Sequence, residues 1–137
     1  MMDENSEWEG VNPSELGPPK GWTNGMFAPA GGRILFVAGQ DAATAEGSVV
    51  EEDFVRQFEI ALVKTLTVVR EVGGEAESIG RMTVFVTDLG AYREGRKAIG
   101  EVWRAEMGRH YPAMSLIEVS RLLDPIAKVE IEATAVI

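Results

Sequence analysis

Ile34-Leu35-Phe36-Val37-Ala38 are five consecutive apolar positions, followed by Gly39-Gln40. A run of this kind predicts a strand buried on both faces. Residues 22–27 read as a partner strand, joined to it around Gly31-Gly32, which can take positive φ cheaply. Farther on, residues 81–87 alternate, with Met82, Val84 and Val86 on one side and Phe85 on the other. Residues 111–119 and 127–137 also alternate with period two and are rich in β-branched side chains, with Leu123-Asp124-Pro125 between them. They predict two neighbouring strands. In the second, Val129, Ile131, Ala133 and Ala135 share one face, and Lys128, Glu130, Glu132 and Thr134 share the other.

Between these strands the period changes. Phe54, Phe58, Ala61, Leu62, Thr65, Val69 and Val72 recur at helical spacing up to Gly73-Gly74. They predict a helix of ~20 residues, about 30 Å long, starting near Glu51 or Asp53. Ser48 and Glu51 fit a capping box. Asp88 can cap a second helix, with Tyr92, Ala98, Ile99, Val102, Trp103 and Met107 as its apolar stripe and Gly108 as its end. His110, just beyond, reads as a surface residue. Residues 1–20, acidic and containing Gly17-Pro18-Pro19, suit a flexible or draped arm, with order beginning at Trp22.

The expected fold is therefore α+β: one domain over residues 21–137, with a five- to six-stranded mixed sheet and two long helices on one face. Two helices, each ~10 Å wide, cover about four strands spaced ~4.8 Å apart, but only on that face. Phe85 and part of the 34–38 run remain on the other, an apolar surface that predicts an oligomer.

Composition narrows the function. The chain has 137 residues, 45% hydrophobic and 26% charged, ordinary for a globular domain. Its net charge of −9 argues against nucleic acid, which needs clustered Lys and Arg. With no cysteine and His110 as the single histidine, no metal site is expected. No run approaches the ~20 apolar residues of a membrane span, and the acidic N-terminus lacks the basic start of a signal peptide, so the expected location is cytoplasmic. No phosphate-binding glycine loop and no nucleophile elbow is present.

Pro112-Ala113-Met114-Ser115, Glu118-Val119, Arg121-Leu122 and Val129-Glu130-Ile131-Glu132-Ala133 together resemble the C-terminal signature of the RidA (YjgF) family of enamine/imine deaminases. Ala38-Gly39-Gln40 is similar to that family's Ser-Gly-Gln, whose glycine backbone lies in the site. The resemblance runs from about Trp22 to the C-terminus. It implies a chorismate-mutase-like fold, a homotrimer with clefts between subunits, and hydrolysis of a reactive enamine or imine to a carbonyl compound and ammonia without a cofactor. It also implies that Glu130 works on the attacking water. The family motif is typically Pro-Ala-Arg-Ser, with the arginine holding the substrate carboxylate, and here that position is Met114. A substrate other than a simple 2-imino acid is therefore expected.

Other readings of the same residues stay open. Glu130 fits a solvated strand residue paired with Lys128 as well as a catalytic carboxylate. Met114 and Leu116 fit a core or a pocket wall. Arg96 stands where the family commonly has an asparagine near the cleft, and reads either as a solvated helix residue or as a relocated cation for an anionic substrate group. Trp22 is a cleft wall or an anchor for the arm, and Asn24 a turn former or a cleft donor. Arg121 matches an arginine the family keeps in any case, so it does not replace the one missing at Met114. A non-catalytic trimer that binds a metabolite or a protein is the alternative function. A chorismate-mutase-like enzyme is a weaker one, because its dianionic substrate would want several cations.

Overall fold

Asp53 opens the first helix, α1 (Phe54–Glu71), in the computed structural model, which describes residues 7–20 and 23–137. The Asp53 carboxylate accepts from the Arg56 N–H at 2.9 Å, satisfying one of the donors that a helix start leaves open. Ser48 and Glu51 do not form the expected capping box. The Ser48 carbonyl instead accepts from the Thr44 N–H at 3.0 Å, closing a small hairpin. Phe54, Phe58, Ala61, Leu62, Thr65 and Val69 all point inward, as their spacing predicts. Gly73, at φ 87°, ends the helix in the left-handed region, and the Gly74 N–H returns to the Val69 carbonyl at 3.0 Å.

The strands are β1 (Glu9–Val11), β2 (Gly25–Phe27), β3 (Ile34–Gln40), β4 (Ile79–Val86), β5 (Ala113–Glu118) and β6 (Val129–Val136). Four form the main sheet in the order β3-β6-β4-β5, and β1 and β2 form a separate ribbon. The five to six strands expected of one sheet thus divide between two. The C-terminal strands β5 and β6, expected as neighbours, are separated by β4. The reason lies in the connection: β4 and β5 run parallel, and a parallel pair needs a crossover, supplied by the helices α2 (Leu89–Glu94) and α3 (Arg96–Met107). The chain then crosses to the far side of β4 through residues 119–128, and β6 runs antiparallel to both β4 and β3.

The second helix was expected to be continuous and is broken at Gly95. That glycine faces α1, where an added Cβ would stand 3.0 Å from Val55 Cγ2. Asp88 caps α2 as expected, accepting from the Gly90 N–H at 2.8 Å. The helices lie on one face of the sheet, and the core forms where α1 and α3 meet β4 and β6. Leu62, Leu66, Met82, Val84 and Ile131 are fully buried there. Each such side chain contributes about 1.5–3 kcal/mol relative to exposure.

His110 is a correction to the expected surface position. It is buried at 1% exposure, and its Nε2 donates to the Ile79 carbonyl at 2.6 Å. The turn after Gly108 folds inward, because the Trp103 indole N–H donates to the His110 carbonyl at 3.1 Å and Trp103 stacks on Tyr111.

β3 is the other correction. Leu35 and Val37 face the helices, but Ile34 and Phe36 are 64% and 78% exposed, so the apolar run is covered on one face only within this chain. Ile117 of β5 and Phe85 of β4 lie on the same uncovered face, in register with Glu130 of β6.

Regular structure begins before Trp22, which lies outside the described residues together with Gly21. β1 pairs with β2, and the Trp8 ring lies so close over Gly80 that a Cβ there would run into it. Thr23 bridges to Ala113 at the edge of β5, and its hydroxyl donates to the Tyr111 carbonyl at 2.7 Å. The arm is thereby led along the β5 edge. Among the described residues no helix is long and apolar enough to cross a membrane.

Candidate functional site

The site residues read from the sequence fall on two faces of the sheet. Met114 stands opposite Met82, which is buried under the helices, whereas Glu130 stands opposite Phe85 on the uncovered face. Because side chains alternate along a strand, Met114 and Leu116 share the helix side and Glu130 the other. Within one chain they cannot line one cavity.

The Glu130 half is built by β6 and the irregular end of β3. Pairing shifts between Val37 and Gln40, and the displaced stretch brings Gly39 against the Glu130 side chain. A Cβ on Gly39 would stand 2.9 Å from both Cδ and Oε2 of Glu130. Glycine at 39 is what lets the carboxylate approach so closely, since its φ is not in the left-handed region and a Cβ would push the Glu130 side chain away. Partial burial, followed by the negative charges of Asp41 and Glu132, raises the Glu130 pKa above the usual carboxylate value. Lys128 does not pair with it. The Lys128 ammonium donates to the Glu52 carbonyl, and Glu130 accepts no hydrogen bond from a described residue.

The Met114 half is a cleft of about 520 Å³ between β5 and α3. Val84, Trp103 and Tyr111 form its inner wall together with Met114 and Leu116, and Arg96 lines it from the first turn of α3. Lys20 and Arg104 also reach it, residues the sequence reading missed. Arg104 was detectable in principle, as it repeats Arg96 and Gly100 at four-residue spacing and so lies on the same side of the helix. Lys20 had no local signal, because the arm's path along β5 places it.

The remaining assignments are less central. Asn24 is tied to the arm: its backbone N–H and side-chain amide both donate to Asn12 Oδ1, at 2.9 and 3.0 Å. Arg121 lines a separate groove with Lys128 and Glu52. Loop 119–128 is held down by Asp124, which accepts from the Val49 N–H at 2.9 Å, and by buried Gln57, which accepts from the Lys128 N–H at 2.8 Å. The Val49 and Ile126 hydrogen bonds hold the Asp124 pKa below its usual value. Among the described residues no group of three or more acidic or histidine side chains could hold a metal ion.

A mixed sheet with a βαβ crossover, helices on one face, a bare apolar face and a carboxylate closed against a strand glycine defines an α+β domain. The chain belongs to the Endoribonuclease L-PSP family, the YjgF/RidA family, whose profile matches residues 18–137. It is 32% identical over 108 residues to the Escherichia coli protein named "Putative reactive intermediate deaminase TdcF", covering 77% of this chain and 80% of that one. Among solved structures it is similar to YyfB of Yersinia pestis, a Rid-family protein described as of unknown function. That likeness has a TM-score of 0.82 and 28% identity, over 96% of this chain and 99% of the other. The YjgF gene product of Escherichia coli matches with a TM-score of 0.66 and 30% identity, over 90% and 91%.

Proposed function

We propose that this protein hydrolyses a reactive enamine or imine to a carbonyl compound and ammonia, as a homotrimer whose site joins the Met114 cleft of one copy to the Glu130 carboxylate of the next. The observation that carries this reading is the environment of Glu130. It has a raised pKa and, among the described residues, no hydrogen-bonding partner, and it stands against a glycine on a face its own chain leaves bare. A second copy covering that face would bury the exposed Phe36 and Ile34 and would also close the carboxylate from water.

The chemistry asks little of the protein, because an iminium carbon is already electrophilic. Glu130 takes a proton from water as the water oxygen bonds to that carbon, giving a carbinolamine. The protonated Glu130 returns the proton to nitrogen, the C–N bond breaks, and the hydroxyl proton leaves as the carbonyl forms. The sum is iminium plus water giving carbonyl compound plus ammonium, with no cofactor. An elevated carboxyl pKa suits a group that must act first as base and then as acid. The relative named as a reactive intermediate deaminase supports this class of reaction. The family description names an RNA-cleaving activity, but a net charge of −9 and a single histidine favour a small molecule. Met114, with no charge to hold a carboxylate on the imine carbon, favours a substrate other than a simple 2-imino acid.

The same residue supports a second reading, a trimer that binds a metabolite or a protein without turnover. Ammonia release from a panel of freshly generated imines, with wild type and Glu130→Gln, separates the two. Release that depends on Glu130 supports the hydrolase. Ligand-dependent melting with no release from any imine supports the binding protein.

A further inference from the structure

Gly100 is a glycine that its own chain does not need. It lies inside α3, where glycine is destabilising relative to alanine, and its φ is not left-handed. An added Cβ would meet nothing closer than Arg104 Nη1 at 3.5 Å, an ordinary contact that would accommodate alanine. Gly95, by contrast, is held by its close approach to α1. Gly100 lines the cleft with Arg96 and Arg104, and the notch left by its missing side chain is bordered by the Arg104 guanidinium.

The two arginines are about 12 Å apart along the helix axis. Helical side chains lean toward the N-terminus, and the Arg104 guanidinium lies back across Gly100, toward Arg96. Lys20 adds a third cation from the arm, and among the described residues no carboxylate lines the cleft, although the chain carries 22 acids against 13 basic residues. None of the three cations makes an ion pair or a hydrogen bond with a described residue. Behind them the wall is apolar and aromatic, with Tyr92, Trp103, Tyr111, Met114 and Leu116. Positive charge is thus concentrated at the rim of the cleft, and its floor is uncharged.

We infer that the cleft binds an organic anion with an aromatic or bulky apolar body, its anionic group, a phosphate or a carboxylate, seated in the notch over Gly100 between Arg96 and Arg104. This rests on the reading of the cleft as the substrate site, and it names the substrate class: an enamine or imine whose anionic group is remote from the reacting carbon. Such a substrate is still other than a simple 2-imino acid, as Met114 favours, because its charge lies away from the imine carbon. Two guanidinium groups give charge-assisted hydrogen bonds to either oxyanion, and the apolar wall takes the body.

The test is a binding measurement, independent of turnover. Phenyl phosphate, 3-phenylpropionate and the neutral 3-phenylpropionamide are titrated calorimetrically into the full-length wild type, Arg96→Gln, Arg104→Gln and Gly100→Leu. At least one anion should bind the wild type roughly tenfold or more tightly than the amide, the equivalent of one charge-assisted hydrogen bond. Which anion is preferred distinguishes a phosphoryl from a carboxylate group. Each arginine variant should lose about that factor for the anion and leave the amide unchanged, and Gly100→Leu should lose it with both charges present. Melting curves and circular dichroism check that the variants fold. Equal affinity for anions and amide, no binding of either anion, or full affinity in both arginine variants would overturn the inference. A wild type that binds the anion but hydrolyses no imine disproves the hydrolase and leaves the anion notch standing.

Discussion

Gly39 and Glu130 approach so closely across the β3–β6 pair that a Cβ on the glycine would stand 2.9 Å from the glutamate Cδ. The contact joins a carboxylate of raised pKa to an irregularity in the sheet, so either residue alone can be used to disturb the site.

Gly39→Ala should displace the Glu130 side chain without unfolding the protein, since Gly39 carries no left-handed strain and the carboxylate is the mobile end of its contact. A displacement of this size at a proton-transferring group costs on the order of tenfold to a hundredfold in rate. Ammonia release from generated imines measures it, and a variant as active as the wild type would remove the Gly39 contact from the mechanism.

Glu130→Gln should abolish imine hydrolysis, because the amide keeps the shape but cannot accept the proton. It should also change the pH dependence of stability. The folded pKa of Glu130 lies above its unfolded value, so the folded state holds the proton more tightly. The wild type therefore loses stability as pH rises from the unfolded value through the folded one. The glutamine variant lacks that loss and should melt higher than wild type at pH 7, the advantage shrinking as the pH falls toward 4. Parallel melting curves from pH 4 to 7 would contradict the assigned environment.

Phe36→Asp should separate the subunits. Phe36 is 78% exposed in the single chain and sits at the centre of the bare run on β3, so a carboxylate there would be buried only if copies associate. Sedimentation should give a trimer for wild type at micromolar concentration and a monomer with native circular dichroism for the variant. A wild type that sediments as a stable monomer would sink the assembly and the shared site with it.

Met114→Arg should raise activity on 2-imino acids such as iminopropionate by roughly tenfold, equivalent to one charge-assisted hydrogen bond. The side chain at 114 faces the cleft that Arg96 lines, so the new guanidinium would stand at its floor. Imines generated from free amino acids by an amino-acid oxidase provide the assay. If wild type already hydrolyses them as fast as the variant, Met114 is not in the carboxylate position.

Local physics was legible along the chain. Helix α1 has nearly the bounds its 3.6-residue period implies, because periodicity is set by residues a few positions apart, although its cap is Asp53 and not the expected Ser48–Glu51 box. The alternation in β6 correctly separated Ile131 and Ala133 from Glu130 and Glu132, and Gly39 could be paired with Glu130 only through the motifs of the resemblance. What needed the tertiary structure were relationships between distant segments. The position of β4 between β5 and β6 follows from a parallel crossover, and a strand's own pattern is the same whichever neighbour it takes. That order put Met114 and Glu130 on opposite faces. His110 carries no periodic signal, and it is buried because Trp103 and Ile79 hold it from elsewhere in the chain. Lys20 meets Arg96 and Arg104 at one cleft because the arm runs along β5, and charges so far apart in sequence converge only once the chain has folded.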